Sequence, residues 1–158
     1  MIDISDNVLT VIGSKETVDS FIDKVKTDDE LLSFSKHFPL PEKNKDVCSD
    51  WRMMGNWGTE SDAFEVRISR EVEICVEYFF KTEDIPPAEW FLTITKELTN
   101  ATFILEYKYN VGGYIYEGRI VVVEGVRDEG ASFDTDHSIS LYFSLSDKYE
   151  NPCETAIN

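Results

Sequence analysis

Two alternating runs that meet at a glycine pair constrain this chain more than any other feature. From Thr102 to Tyr109 every second residue is large and apolar or aromatic: Phe103, Leu105, Tyr107 and Tyr109. A side-chain period of two is what a strand with one buried face requires. A second β-rich run, Tyr114 to Glu124, follows, with Gly118 as a candidate bulge. Between them stands Asn110-Val111-Gly112-Gly113, which supplies the residues that tight hairpin turns demand. The two runs therefore predict an antiparallel hairpin. A lone hairpin is marginal in water, so the rest of the chain must provide further strands and a cover for the apolar face.

The preceding residues provide both. Asn7 to Gly13 is β-branched, apolar and closed by glycine, the pattern of a central strand. Ser14 is placed to cap a helix. Val18, Phe21, Ile22 and Val25 then recur at helical spacing, opposite Lys15, Glu16, Asp19, Asp23 and Lys24. Leu31 to Phe38 fits either a strand or a short helical turn, and Pro39 and Pro41 end it. Phe64, Val66 and Ile68 alternate with charged or polar residues in a half-buried strand. In Glu73 to Phe80, one face is Ile74, Val76, Tyr78 and Phe80, and the other is Glu73, Cys75 and Glu77. Pro86-Pro87 opens a second helix carrying Trp90, Phe91, Ile94 and Leu98. Strand, helix, strand, strand, helix, strand is the ferredoxin-like order. The expected fold is α+β: an antiparallel sheet with two helices on one face, plus a C-terminal hairpin and strand extension. At 158 residues one domain suffices. Residues 1–125 form its body. Residues 126–158 add an acidic loop, an alternating strand Ser138–Ser146 and a loose tail.

Charge narrows the function. With 31 acidic against 15 basic side chains the net charge is −16, which disfavours direct binding to a nucleic-acid backbone and favours basic protein partners. Cys48, Cys75 and Cys153 are scattered and no C-x-x-C is present, so neither a structural zinc site nor an iron–sulfur cluster is expected. No cofactor or metal is expected. No apolar run reaches membrane-spanning length, and Met1–Asp6 lacks the pattern of a signal peptide; a cytoplasmic protein with reduced thiols is expected.

Three stretches carry a family resemblance. They are His37-Phe38-Pro39-Leu40-Pro41-Glu42; Asp50-Trp51-Arg52 with Asn56-Trp57-Gly58-Thr59 and Asp62-Ala63; and Tyr78-Phe79-Phe80-Lys81-Thr82 followed by Pro86-Pro87. Together with the Asn7–Gly13 strand they resemble the YubB-like ferredoxin-like domain family of conjugative-plasmid and phage proteins, over roughly residues 7–124. The resemblance implies a ferredoxin-like fold and an origin on a mobile element, and carries no established activity. Glu60-Ser61 stand where the family has Lys-Trp, and Glu83-Asp84-Ile85 where it has Ala-Trp-Ser.

Two sets of residues are candidates for binding. Trp51, Arg52, Asn56, Trp57, Thr59 and Asp62, with Trp90, form either an aromatic, hydrogen-bonding rim for a nucleotide-like ligand or a connector that pins the core, with Gly58 at positive φ. Asp128, Glu129, Asp134 and Asp136 lie in the acidic loop. Asp134-Thr135-Asp136-His137 has donors that could ligate a metal, but a solvated acidic loop accounts for them better. No nucleophile elbow, phosphate loop or Ser-His-Asp order is present, so no catalytic residues are assigned. The expected function is a non-enzymatic acidic protein that blocks a basic, nucleic-acid-binding host or defence protein. The alternatives are a small-ligand module, or an assembly component that oligomerises through Ser138–Ser146.

Overall fold

A computed structural model describes residues 3–40 and 55–134. Trp51, Arg52 and Asp136, the acidic segment beyond Asp134 and the Ser138–Ser146 run lie outside the described residues. Over the described residues the protein is α+β, with a seven-stranded antiparallel open sheet. Its strands are β1 (Ile4–Ile12), β2 (Phe64–Val72), β3 (Cys75–Glu83), β4 (Thr102–Val111), β5 (Tyr114–Val123), β6 (Val126–Arg127) and β7 (Phe133–Asp134). The order is β2-β3-β1-β4-β5-β6, with β7 also paired to β5. The helices α1 (Lys15–Val25) and α3 (Ala88–Glu97) follow β1 and β3, and the short α2 (Phe34–His37) lies between α1 and β2. The first four strands in the order β2-β3-β1-β4 are compatible with a ferredoxin-like arrangement.

One face of the sheet is the core. Leu9 and Val11 of β1, Val76, Tyr78 and Phe80 of β3, and Phe103 and Leu105 of β4 are buried against Phe21 and Val25 of α1 and Trp90, Phe91 and Ile94 of α3. Phe21 meets Tyr78 and Phe103 edge-on at centroid distances of 5.8 and 5.9 Å. Ser14 caps α1 as expected, its Oγ accepting from Thr17 N at 3.2 Å. The Gly112-Gly113 turn also forms, with φ of 58° and 85°.

Several details differ from the sequence reading. β1 starts at Ile4 because its polar inward residues are satisfied: Ser5 Oγ donates to Asn7 Oδ1 at 2.9 Å, and Asn7 Nδ2 donates to Thr82 Oγ1 at 3.1 Å. β2 carries two register shifts, so Val66 and Ile68 pack on the core while Phe64 lies opposite Lys81. Ile74 is not a core residue: it sits in the β2–β3 turn, 59% exposed. Gly118 is not a bulge, since the β4–β5 register runs through it without a break. It is glycine because the Tyr107 ring lies across it; a Cβ there would stand 2.1 Å from the Tyr107 hydroxyl. Glu124-Gly125, both at positive φ, turn the chain back into β6, so part of the expected acidic loop is strand.

Candidate functional site

The Trp57–Ala63 connector sits where β2 enters the sheet, and its side chains are committed inward. A helical turn at residues 55–57 carries the half-buried Asn56 and delivers Trp57 into the core, where its Nε1 donates to the Phe38 carbonyl at 2.9 Å. Trp57 meets Phe34 edge-on at 5.8 Å, and Phe34 lies 4.5 Å from Trp90. Gly58 has φ of +80°, and a Cβ there would stand 2.9 Å from the Glu89 backbone nitrogen at the start of α3. Thr59 is fully buried and donates to the Glu83 carbonyl at 2.7 Å. Ser61 Oγ accepts from Glu83 N at 2.9 Å.

Asp62 does the most. Its Oδ1 accepts from Phe34 N at 2.7 Å and Ala63 N at 2.8 Å; its Oδ2 accepts from Ser35 N at 3.2 Å and Ser33 Oγ at 3.3 Å. It thus caps α2 from 28 residues away. Every described aromatic of the expected ligand rim is buried, and Thr59 and Asp62 bond the protein's own backbone. Through these groups the connector ties α2, β3 and the start of α3 together.

The acidic-loop residues are divided. Asp128 Oδ1 accepts from Gly130 N and Ala131 N, both at 3.1 Å, and so closes a turn. Glu129 is exposed and lies 3.6 Å from Arg127. Asp134 pairs opposite Gly118, beside Tyr107. Burial, reinforced by the nearby Asp134 charge, pushes the Tyr107 hydroxyl well above the usual phenol range. Among the described residues no cluster of His, Cys, Asp and Glu could hold a metal ion. His37 is a packed imidazole, its Nε2 2.5 Å from Glu97 Oε2 between α2 and α3. The Cys75 thiol is buried. No helix among the described residues is long and apolar enough to cross a membrane.

The other face of the sheet carries a surface that the sequence reading did not single out. Strand register arranges it in rows. One row runs from Glu65, which reaches Lys81 at 2.8 Å, through Asp6 and Lys108 to Glu117, with Lys108 and Glu117 3.5 Å apart. The next runs Arg67, Phe79, Val8, Glu106, Arg119, Phe133; Arg67 lies 4.7 Å over the Phe79 ring, and Arg119 lies 3.6 Å from Glu106. These two rows line a groove of about 610 Å³. The third row, Arg70, Glu77, Thr10, Ile104 and Val121, adds one charge of each sign. A final row of Val72, Cys75, Ile12, Thr102, Val123 and Val126 has no charge at all.

Carboxylates and cations balance one for one over these four rows, and Glu83 at the far rim adds one more carboxylate. The face is within one charge of neutral on a chain of −16, so the acid excess belongs to other surfaces. The signal in the sequence was the second phase of each strand: Asp6-Val8-Thr10, Glu77-Phe79-Lys81 and Glu106-Lys108. Only register places those residues side by side. No family model, curated protein or solved structure matches the chain.

Proposed function

We propose that this is a non-enzymatic, acidic interaction protein of a phage or plasmid that binds and inhibits a basic, nucleic-acid-binding host or defence protein in the cytoplasm. The observation that carries the reading is the segregation of charge. With the outer sheet face near neutral, the carboxylate excess lies on other surfaces, and its densest exposed run is the loop after α1, where Asp28, Asp29 and Glu30 stand together; on α1 itself Glu16, Asp19 and Asp23 are partly offset by Lys15, which reaches Asp19 at 2.8 Å, and Lys24. Concentrated like charge raises the local potential and steers a partner of opposite sign. The strand order supports a ferredoxin-like domain, and the YubB-like resemblance supports the mobile-element origin.

The test is capture of host proteins on the immobilised chain at low salt. The retained protein should be basic, should elute as salt rises through about 0.3 M, and should be displaced by duplex DNA. Changing Asp28, Asp29 and Glu30 to their amides should weaken retention, with the fold unchanged by circular dichroism. If nothing basic is retained, or if retention ignores both salt and DNA, the reading fails.

A further inference from the structure

We propose that the outer face of the sheet pairs with the same face of a second copy of this chain. No described helix covers it, since α1 and α3 both pack on the opposite side. Its uncharged row crosses the sheet from β2 to β6; at a strand spacing of about 4.8 Å it is roughly 24 Å wide. Four of its six residues are apolar and open, Ile12 being 39% exposed, Val72 47%, Val123 40% and Val126 70%, with the buried Cys75 and the polar Thr102 between them, and the exposed Ile74 extends the row at the turn. Scattered exposed apolar residues are ordinary, but four aligned in one row across a sheet mark a surface that something covers.

Charge selects the occupant. A basic partner is drawn to the carboxylate-rich surfaces and gains nothing from a face that carries both signs equally. Two copies of a −16 chain repel through every surface with an acid excess, and the balanced face is where that repulsion is least. There each cation can meet a carboxylate of its twin, because the two signs are equal in number and interleaved. A two-fold interface uses one patch on both partners, so a self-complementary mosaic beside an apolar row is what it requires.

This surface differs from the one proposed for the basic partner, and salt separates the two. Partner binding by the acid-rich side weakens as salt rises. Pairing through the balanced face strengthens, because screening removes the long-range repulsion between like-charged copies while the apolar row is untouched. The experiment is sedimentation equilibrium of the full chain on the order of 100 µM, at about 0.05 M and about 0.5 M NaCl. A mass of twice 18.2 kDa is expected, with tighter association at the higher salt. Ile12→Asp and Val123→Asp, each at an exposed position and checked for fold by circular dichroism, should each weaken association at least about tenfold. A charge-reversed pair gives a second readout that does not touch the apolar row. Arg67→Glu/Lys108→Glu and Glu106→Lys/Glu117→Lys chains should each associate poorly alone and better when mixed. A monomeric mass at both salts overturns the proposal. So does a dimer that neither aspartate variant weakens, since that dimer would use another surface, such as the Ser138–Ser146 segment.

Discussion

Replacing Asp62 by alanine tests whether the connector is a structural clamp. Four groups donate to the carboxylate. Two of them have an alternative: the exposed Ser35 N can turn to water, and Ser33 Oγ already has Ser35 Oγ at 3.1 Å. The other two, Phe34 N and Ala63 N, are partly buried and lose their acceptor. An orphaned donor costs about 1–3 kcal/mol, so two that are not fully sealed from water should cost roughly 3 kcal/mol together. For a domain of this size that is roughly 6–12 °C of Tm, at about 2–4 °C per kcal/mol. The damage should spread, because Phe34 is fully buried against Trp57, Phe80 and Trp90. Urea unfolding followed in parallel by tryptophan fluorescence and far-ultraviolet circular dichroism measures it. Asp62→Asn keeps the Oδ1 acceptor for both backbone donors but turns an amide N–H₂ towards Ser35 N, so its loss should be intermediate. A loss below about 1 kcal/mol for Asp62→Ala would show that water replaces the carboxylate and that the cap is dispensable.

Three further changes are informative. Gly118→Ala forces the Tyr107 ring off the β5 backbone and should cost about 1–3 kcal/mol in the same urea assay, and Tyr107→Leu should relieve much of that cost. Tyr78→Phe should raise stability by about 1 kcal/mol, because the Tyr78 hydroxyl is buried without a hydrogen-bond partner among the described residues. Asp84 has φ of +70°, and burial, with Asp3 close by, holds its carboxyl above the usual range despite a hydrogen bond with Glu60 that pulls it down. The folded state then holds the proton more tightly than the unfolded state, so stability falls as pH rises from the ordinary carboxylate range through the raised value. Asp84→Asn, whose side chain tolerates positive φ, should therefore raise Tm at pH 7, with the gain shrinking as pH falls below the carboxylate range.

The sequence made the fold legible wherever burial imposes a period. Phe103-Leu105-Tyr107-Tyr109 and Val18-Phe21-Ile22-Val25 point inward as their spacing requires. It was less informative where the determinant is non-local. Leu31–Phe38 fits strand or helix because α2 is only four residues long; Ser33 caps it locally, and Asp62, which adds bonds to Phe34 N and Ser35 N, comes from a distant segment. Gly118 has the local look of a bulge because the reason for it, the Tyr107 ring, lies on the neighbouring strand. For the connector, both the pinning and the ligand-rim readings fitted the same residues. The pinning contacts are visible only in the donor and acceptor geometry at Trp57, Thr59 and Asp62, and Trp51 and Arg52 lie outside the described residues.

The near-neutral outer face has a cause within folding itself. Like charges directly opposite each other on adjacent strands are destabilising, so rows such as Lys81-Asp6-Lys108-Glu117 are driven towards alternation and hence towards zero net charge. Helix and loop surfaces carry no such cross-strand constraint, and an acid excess accumulates there at no cost to register. Alternation alone would therefore yield a balanced mosaic even on a sheet that binds nothing. It does not account for the row at the end of the sheet, where Ile12, Val72, Val123 and Val126 stand open to water in a chain that is 29% charged. Polar residues at those positions would satisfy the strand ladder equally well and remove the exposed apolar area. The apolar row thus drives the pairing, and the mosaic decides which partner can approach. Ile12→Asp and Val123→Asp are accordingly the decisive variants: each alters the row while leaving every charge pair of the mosaic in place.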